Sequence, residues 1–204
     1  QAFAGTVLRI KSTAAAVTVI PEDRTDFLVE IDNASGRAPM PTVSAEDGRV
    51  TIEGHLRGRI SNCRGESVSL RGYGDIPQDE LPRITIRAPR ALEIDRSGAG
   101  TTEIGASASL DLDMAGCADA TIGDVAGQFD LDIAGASDVT AGSAGGFSAD
   151  IAGAGDVTVG AVANGADLDV SGAGDVTFAS VTGEFNADAA GAATIRVLAG
   201  AISA

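Results

Sequence analysis

The sequence predicts an all-β protein, a single-stranded parallel β-helix wound in coils of 18–19 residues. Three observations predict it: one glycine recurs at a nearly fixed period, an alternating five-residue stretch precedes each copy, and the apolar residues are mostly small. Of 204 residues 44% are hydrophobic, yet there are 27 Gly, no Trp, one Tyr and six Phe, so the interior must be narrow.

The recurring residues are Gly98, Gly116, Gly135, Gly153, Gly172 and Gly191, with spacings of 18, 19, 18, 19 and 19. Each is preceded by a period-two stretch, as in Leu110-Asp-Leu-Asp-Met114, Phe129-Asp-Leu-Asp-Ile133 and Ala166-Asp-Leu-Asp-Val170. Such alternation is that of a β-strand with one buried face. After the glycine comes a shorter strand, such as Val139-Thr-Ala141, Val157-Thr-Val159 or Val176-Thr-Phe178. Two strands and a corner in so few residues leave no room for a crossover helix, so the copies must stack as coils about 4.8 Å apart. Glycine suits a corner where φ is positive and neighbouring coils crowd. An antiparallel β-sandwich also has many short strands separated by turns. It does not require the same side chain copy after copy, as at Asp95, Asp113, Asp132, Asp150, Asp169 and Asp188.

The chain is read as a single domain, 1–204, with six regular coils over 91–204 and irregular strands and a cap over 1–90. Expected strands there are Ala16 to Ile20, Phe27 to Asp32, Thr42 to Ala45, Val50 to Glu53 and Ile84 to Arg87, with Asp47-Gly48 as a turn. Ile84-Thr85-Ile86 overlays the second strand of a repeat, so the coil register should begin before Leu92. Residues 54–82, rich in Gly, Arg and Ser, read as a long loop or insertion leaving the solenoid. Part of the first 50 residues is assigned to capping an open end.

The net charge is -15, which argues against nucleic acid as a partner, since phosphate binding needs a basic stripe. Residues 1–96 hold 13 Lys and Arg against 14 acids, whereas residues 97–204 hold Arg196 against 15 acids. No apolar run approaches the roughly 20 residues of a membrane helix. The chain begins at Gln1 rather than Met, consistent with removal of a targeting peptide or with trimming. Cys63 and Cys117 have no metal or redox spacing. They either form a disulfide or remain two buried thiols.

The run Leu81-Pro82-Arg83-Ile84-Thr85-Ile86-Arg87-Ala88-Pro89-Arg90-Ala91-Leu92-Glu93-Ile94-Asp95-Arg96-Ser97-Gly98-Ala99-Gly100, followed by repeated Gly-Ala-Gly-Asp-Val-Thr, resembles the bacterial family called the putative auto-transporter adhesin head GIN domain. The resemblance implies an exported, right-handed β-helix of the cell envelope, periplasmic or at the cell surface. It brings no catalytic residues with it.

Chemistry could reside at two places. Asp119, Asp138, Asp156 and Asp175 follow the glycine corner, where an Asx-type turn is expected; the alternative is calcium, whose β-roll motif these positions loosely resemble although that motif recurs every nine residues. The outward strand face should carry ten carboxylates in two columns: Glu93, Asp95, Asp111, Asp113, Asp130, Asp132, Asp150, Asp167, Asp169 and Asp188. That face is either a solvated surface blocking lateral sheet stacking or a contact surface for divalent cations or a basic partner. Cofactor, metal and catalytic motifs are absent, and His55, the single histidine, has no partner motif.

The expected function is therefore an exported, non-enzymatic module for structural or adhesive interaction with an envelope or surface component. The alternative is a polysaccharide-binding or polysaccharide-cleaving β-helix, with Arg57, Arg59, Arg64 and Arg71 folded back as a basic cleft wall. Self-association through the open coil ends is a further expectation.

Overall fold

The computed structural model describes residues 1–33, 35–63 and 66–203. The strands are β1 (Ala2–Ala4), β2 (Val7–Ala14), β3 (Ala16–Pro21), β4 (Asp26–Asp32), β5 (Thr42–Glu46), β6 (Arg49–Glu53), β7 (Ile60–Asn62), β8 (Ser67–Leu70) and β9 (Gly74–Pro77) in the first part of the chain. They continue with β10 (Arg83–Ala88), β11 (Ala91–Ile104), β12 (Ser109–Ile122), β13 (Val125–Gly135), β14 (Val139–Ala141), β15 (Ala144–Ala154), β16 (Val157–Val162), β17 (Ala166–Val197) and β18 (Gly200–Ser203). One short 3₁₀ helix spans Gln78–Glu80.

From β11 onward the chain is a parallel β-solenoid. Leu92 lies on Leu110, Leu110 on Phe129, Phe129 on Phe147 and Phe147 on Ala166, in exact register. The second strands repeat the pattern, with Val139, Val157 and Val176 stacked. A short third side stacks Val125, Ala144, Val162, Val181 and Gly200. The inward columns form one continuous core. Within it Phe129, Phe147, Phe178 and Phe185 meet edge to face, with ring centroids 5.2, 5.5 and 6.1 Å apart. That offset geometry is the one aromatic quadrupoles favour.

The corner glycines are required by crowding, and all but Gly172 by φ as well. Gly116 has φ +114, and a Cβ there would lie 2.5 Å from the Gly98 carbonyl oxygen of the coil before. The same overlap recurs at Gly135, Gly153, Gly172 and Gly191.

The first coils depart from the expected order. β2 and β3 form a coil that stacks directly beneath β11, with Ile94 on Leu8 and Glu103 on Thr18. β6 and β10 form another coil, but it lies on the far side of β2 and β3, with Ile52 against Ile10 and Ile86 against Val19. The earliest coil in sequence is thus the second in space, and Ile84–Ile86 stacks on residues 17–19 rather than on β11. Strand β2 carries no corner glycine: Ser12 takes the positive φ of 51, and an extra residue is absorbed as a bulge opposite Arg96 and Gly98.

Antiparallel strands cover the N-terminal end: β4 on β10, β1 on β4, and β5 on β6. At the other end the last coil is bare of further strands among the described residues, and Leu198 and Ile202 are 70% and 55% exposed. Of the two readings of 54–82, loop or insertion, the insertion holds: its described residues include a small antiparallel sheet, β7-β8-β9, and Leu56, Val68, Leu70, Ile76 and Leu81 form a second core against Ala14 and Ala99 at the solenoid corner.

Candidate functional site

Because the coils stack in register, alternate outward residues of the first strands form straight columns. One runs Glu93, Asp111, Asp130, Ser148, Asp167; the other runs Asp95, Asp113, Asp132, Asp150, Asp169. Asp188 extends the second column, since Asn186 reaches Asp167 and Gly191 lies against Gly172 in the coil before. The columns stop where the nearly charge-balanced N-terminal part begins: Arg9 lies next to Asp95 in the ladder and pairs with its carboxylate at 2.6 Å. The charge asymmetry of the sequence is thereby laid out along the axis of the solenoid.

Crowding alters the acids in mid-column. Asp113 is pushed up to about 6, first by partial burial and then by the charges of Asp132, Asp111 and Asp95. Asp111 is raised for the same reasons, burial leading and Asp130 and Glu93 following. Repulsion between neighbours at the coil spacing is about 0.9 kcal/mol per pair in water before salt screening.

The corner aspartates do something different from the Asx turn expected. Each carboxylate accepts from the backbone N–H of its equivalent in the next coil: Asp138 N–H donates to Asp119 Oδ1 at 3.2 Å, Asp156 N–H to Asp138 Oδ1 at 2.9 Å, and Asp175 N–H to Asp156 Oδ1 at 2.9 Å. In-register stacking places the next coil's N–H within hydrogen-bonding distance of each of these carboxylates. At the end of this ladder Arg196 donates to Asp175 at 2.8 Å, and hydrogen bonds from Arg196 and Thr194 lower the Asp175 pKa.

Cys63 and Cys117 are joined by a disulfide with their Cα atoms 6.2 Å apart, within the usual range. It ties the small sheet to the solenoid corner. Beside it a groove of about 520 Å³ runs between Ser61 and Cys63 on one wall and Asp119 and Asp138 on the other, over Ala136 and Ala154.

The remaining sequence candidates are not brought together. Arg57, Arg59 and Arg71 are exposed on the inserted segment, which seats on the corner and not over the acidic columns; Arg64 lies outside the described residues. Those described residues therefore supply no basic cleft wall. His55 is exposed, its Nε2 hydrogen-bonded to Thr42 Oγ1 at 2.9 Å. No group of three or more His, Cys, Asp or Glu side chains is arranged to hold a metal ion among the described residues.

One buried group escaped the sequence reading. Arg96 occupies an inward column beside Ile10 and Met114 and is 1% exposed. Its guanidinium donates to Thr13 Oγ1 at 2.6 Å, to the Ser97 carbonyl at 2.9 Å and to the Ala99 carbonyl at 2.7 Å. Burial lowers its pKa to about 10. The residue closes the irregular corner at Ser12 and is structural.

The family profile described as "Putative auto-transporter adhesin, head GIN domain" matches residues 17–201. The chain belongs to this family. Among solved structures the head GIN domain described here is similar to a putative adhesin from Bacteroides fragilis, at 13% identity and a TM-score of 0.46, covering 96% of this chain and 94% of that one. A putative cell adhesion protein from Clostridium sporogenes aligns at 14% identity with a TM-score of 0.30, covering 97% and 93%. A search of curated proteins finds no match. No helix of the described domain is long and apolar enough to cross a membrane.

Proposed function

We propose that this head GIN domain is an exported, non-enzymatic adhesion module of the bacterial cell envelope, and that its acidic strand face makes the contact. The observation that carries the reading is the pair of carboxylate columns, straight and in register over the coils from β11 onward, on a rigid parallel sheet. Family membership supports an adhesion-type role at the surface. A face of this charge fits a cationic surface component, whose ammonium or guanidinium groups would take the place Arg9 takes on Asp95.

The test is retention of the purified domain on isolated envelope fractions at low and high salt. Retention that falls with salt, and falls again when Asp111, Asp130, Asp132 and Asp150 are changed to Asn, supports the reading. Retention indifferent to both salt and substitution, or none on any fraction, overturns it.

A further inference from the structure

The outer column of acids is interrupted at one coil, and the neighbouring column carries glycine beside the break. In the outer column Ser148 stands between Asp130 and Asp167. In the neighbouring column Gly146 lies next to Gln128 in the ladder. Gly165 follows in that column, bordered by Glu184. Two consecutive side chains are thus missing, Gly165 for a backbone reason of its own, with φ +94 and a Cβ that would lie 2.6 Å from the Glu184 carbonyl oxygen, and a notch of about 360 Å³ opens in the sheet face.

The backbone does not demand Gly146. Its φ is not in the left-handed region, and a Cβ there would meet only the tip of the Gln128 side chain, at Oε1. The adjacent Gly145 is a contrast, because its Cβ would strike the backbone carbonyls of Ala126 and Gly127 at 2.6 and 2.7 Å. A strand glycine with no backbone reason marks a place where something else approaches closely. In the outer column, acidic at Glu93, Asp111, Asp130 and Asp167, the break at Ser148 is where function is expected.

The rim carries oriented amides. Gln128 Nε2 donates to Asp130 Oδ1 at 2.9 Å, and Asn186 Nδ2 donates to Glu184 Oε1 at 3.1 Å. Gln128 is held by a carboxylate through one N–H, so its second N–H remains to read a ligand. Asn186 Nδ2 also reaches Asp167 Oδ2 at 3.5 Å, so Asn186 offers its carbonyl oxygen, and the Ser148 hydroxyl can donate or accept. Donors and acceptors are therefore interleaved, which matches a ligand whose groups are both at once, a row of hydroxyls. The carboxylates of Asp167 and Glu184 repel an anion. An extended peptide finds no main-chain partners, because the floor is already paired: Phe147 N–H with Gly165 O at 3.2 Å, Asn164 N–H with Gly145 O at 2.7 Å, Gly165 N–H with Thr182 O at 2.8 Å.

We infer that the notch over Gly146 and Gly165 is a binding site for a neutral or amino-sugar saccharide, read by the amides of Gln128 and Asn186. This deepens the adhesive reading by naming a ligand class, and rests on it only for the expectation that the saccharide belongs to a surface.

The experiment screens the purified domain against an array of neutral and amino-sugar oligosaccharides, with oligogalacturonate as the anionic control, and follows hits by calorimetry. The expected result is saturable binding of at least one neutral or amino-sugar oligosaccharide. Gly146→Val, which fills the notch, and Gln128→Ala, which removes an exposed amide without touching the core, should each weaken it at least tenfold while leaving the melting temperature unchanged. Binding to none of the array, binding unaltered in Gln128→Ala, or preference for oligogalacturonate would each overturn the site. A domain that holds to envelope fractions yet ignores every saccharide sinks this inference alone, whereas one that binds a saccharide but no envelope sinks the adhesive reading.

Discussion

Arg96 Nη1 donates a 2.6 Å hydrogen bond to Thr13 Oγ1 in the interior of the solenoid, joining two coils 83 residues apart in sequence. With no carboxylate among its hydrogen-bond acceptors, the guanidinium is neutralised only by hydroxyls and carbonyls turned toward it. Thr13→Val keeps the shape and removes the shortest of these bonds. The loss of a charge-assisted hydrogen bond in the interior should cost about 1.5–3 kcal/mol. Urea unfolding checks this, and a change under about 0.5 kcal/mol would count against it.

The acidic columns give the domain an unusual pH response. The folded Asp113 has a pKa near 6 against an ordinary 3.8, so the folded state binds its proton more tightly than the unfolded chain does. Stability should therefore rise as pH falls through about 6, the gain being complete near 3.8. Groups with lowered pKa values, Glu53 beside Lys11 and Asp124 beneath Ser143, hold their stabilisation until the pH falls below the ordinary carboxylate range. Between pH 7 and 5 the columns dominate. Discounted for exposure, the gain is about 1 kcal/mol, or about 2–4 °C in melting temperature. Calorimetric melts should show that rise in the native chain and most of it gone in Asp113→Asn.

Two glycines in one repeat should behave oppositely. Gly135→Ala places a Cβ against the Gly116 carbonyl at φ +147 and should cost about 3 kcal/mol or more. Gly146→Ala displaces only the Gln128 amide and should stay within about 0.5 kcal/mol. Thermal melts of the pair measure the difference directly, and equal losses would contradict the stated roles.

The inserted sheet is held by its own small core and by the Cys63–Cys117 bridge, which closes a sequence separation of 54 residues. Replacing both cysteines by Ala should lower stability by about 2–4 kcal/mol. Limited proteolysis should then cut first within residues 54–82 while the coils resist. Cleavage in the coils at the same rate would show that the bridge supports more than the insertion.

The regular coils were legible because their corner needs glycine and their columns repeat one side chain, so a single period exposes both. The coil formed by β2 and β3 was not legible, since Ser12 rather than a glycine turns its corner and a bulge shifts its phase. Nor could the inverted stacking of the first two coils be read, because register alone does not say which neighbour a strand chooses. The acidic columns followed from alternation. The corner aspartates were misread as local turns, since a coil-to-coil hydrogen bond leaves no mark in the flanking sequence. Arg96 did leave one: it stands at the inward position that Met114 and Ile133 occupy in later coils.

The in-register stack underlies the columns, the notch and the corner ladder alike. Spin labels placed pairwise at Glu93 and Ser148, Glu93 and Asp167, and Glu93 and Asn186 measure it by electron–electron dipolar coupling. These pairs are three, four and five coils apart, so the separations should be about 14, 19 and 24 Å, rising by one coil spacing of about 4.8 Å at each step. Distances that do not increase in those equal steps would contradict the stacked arrangement.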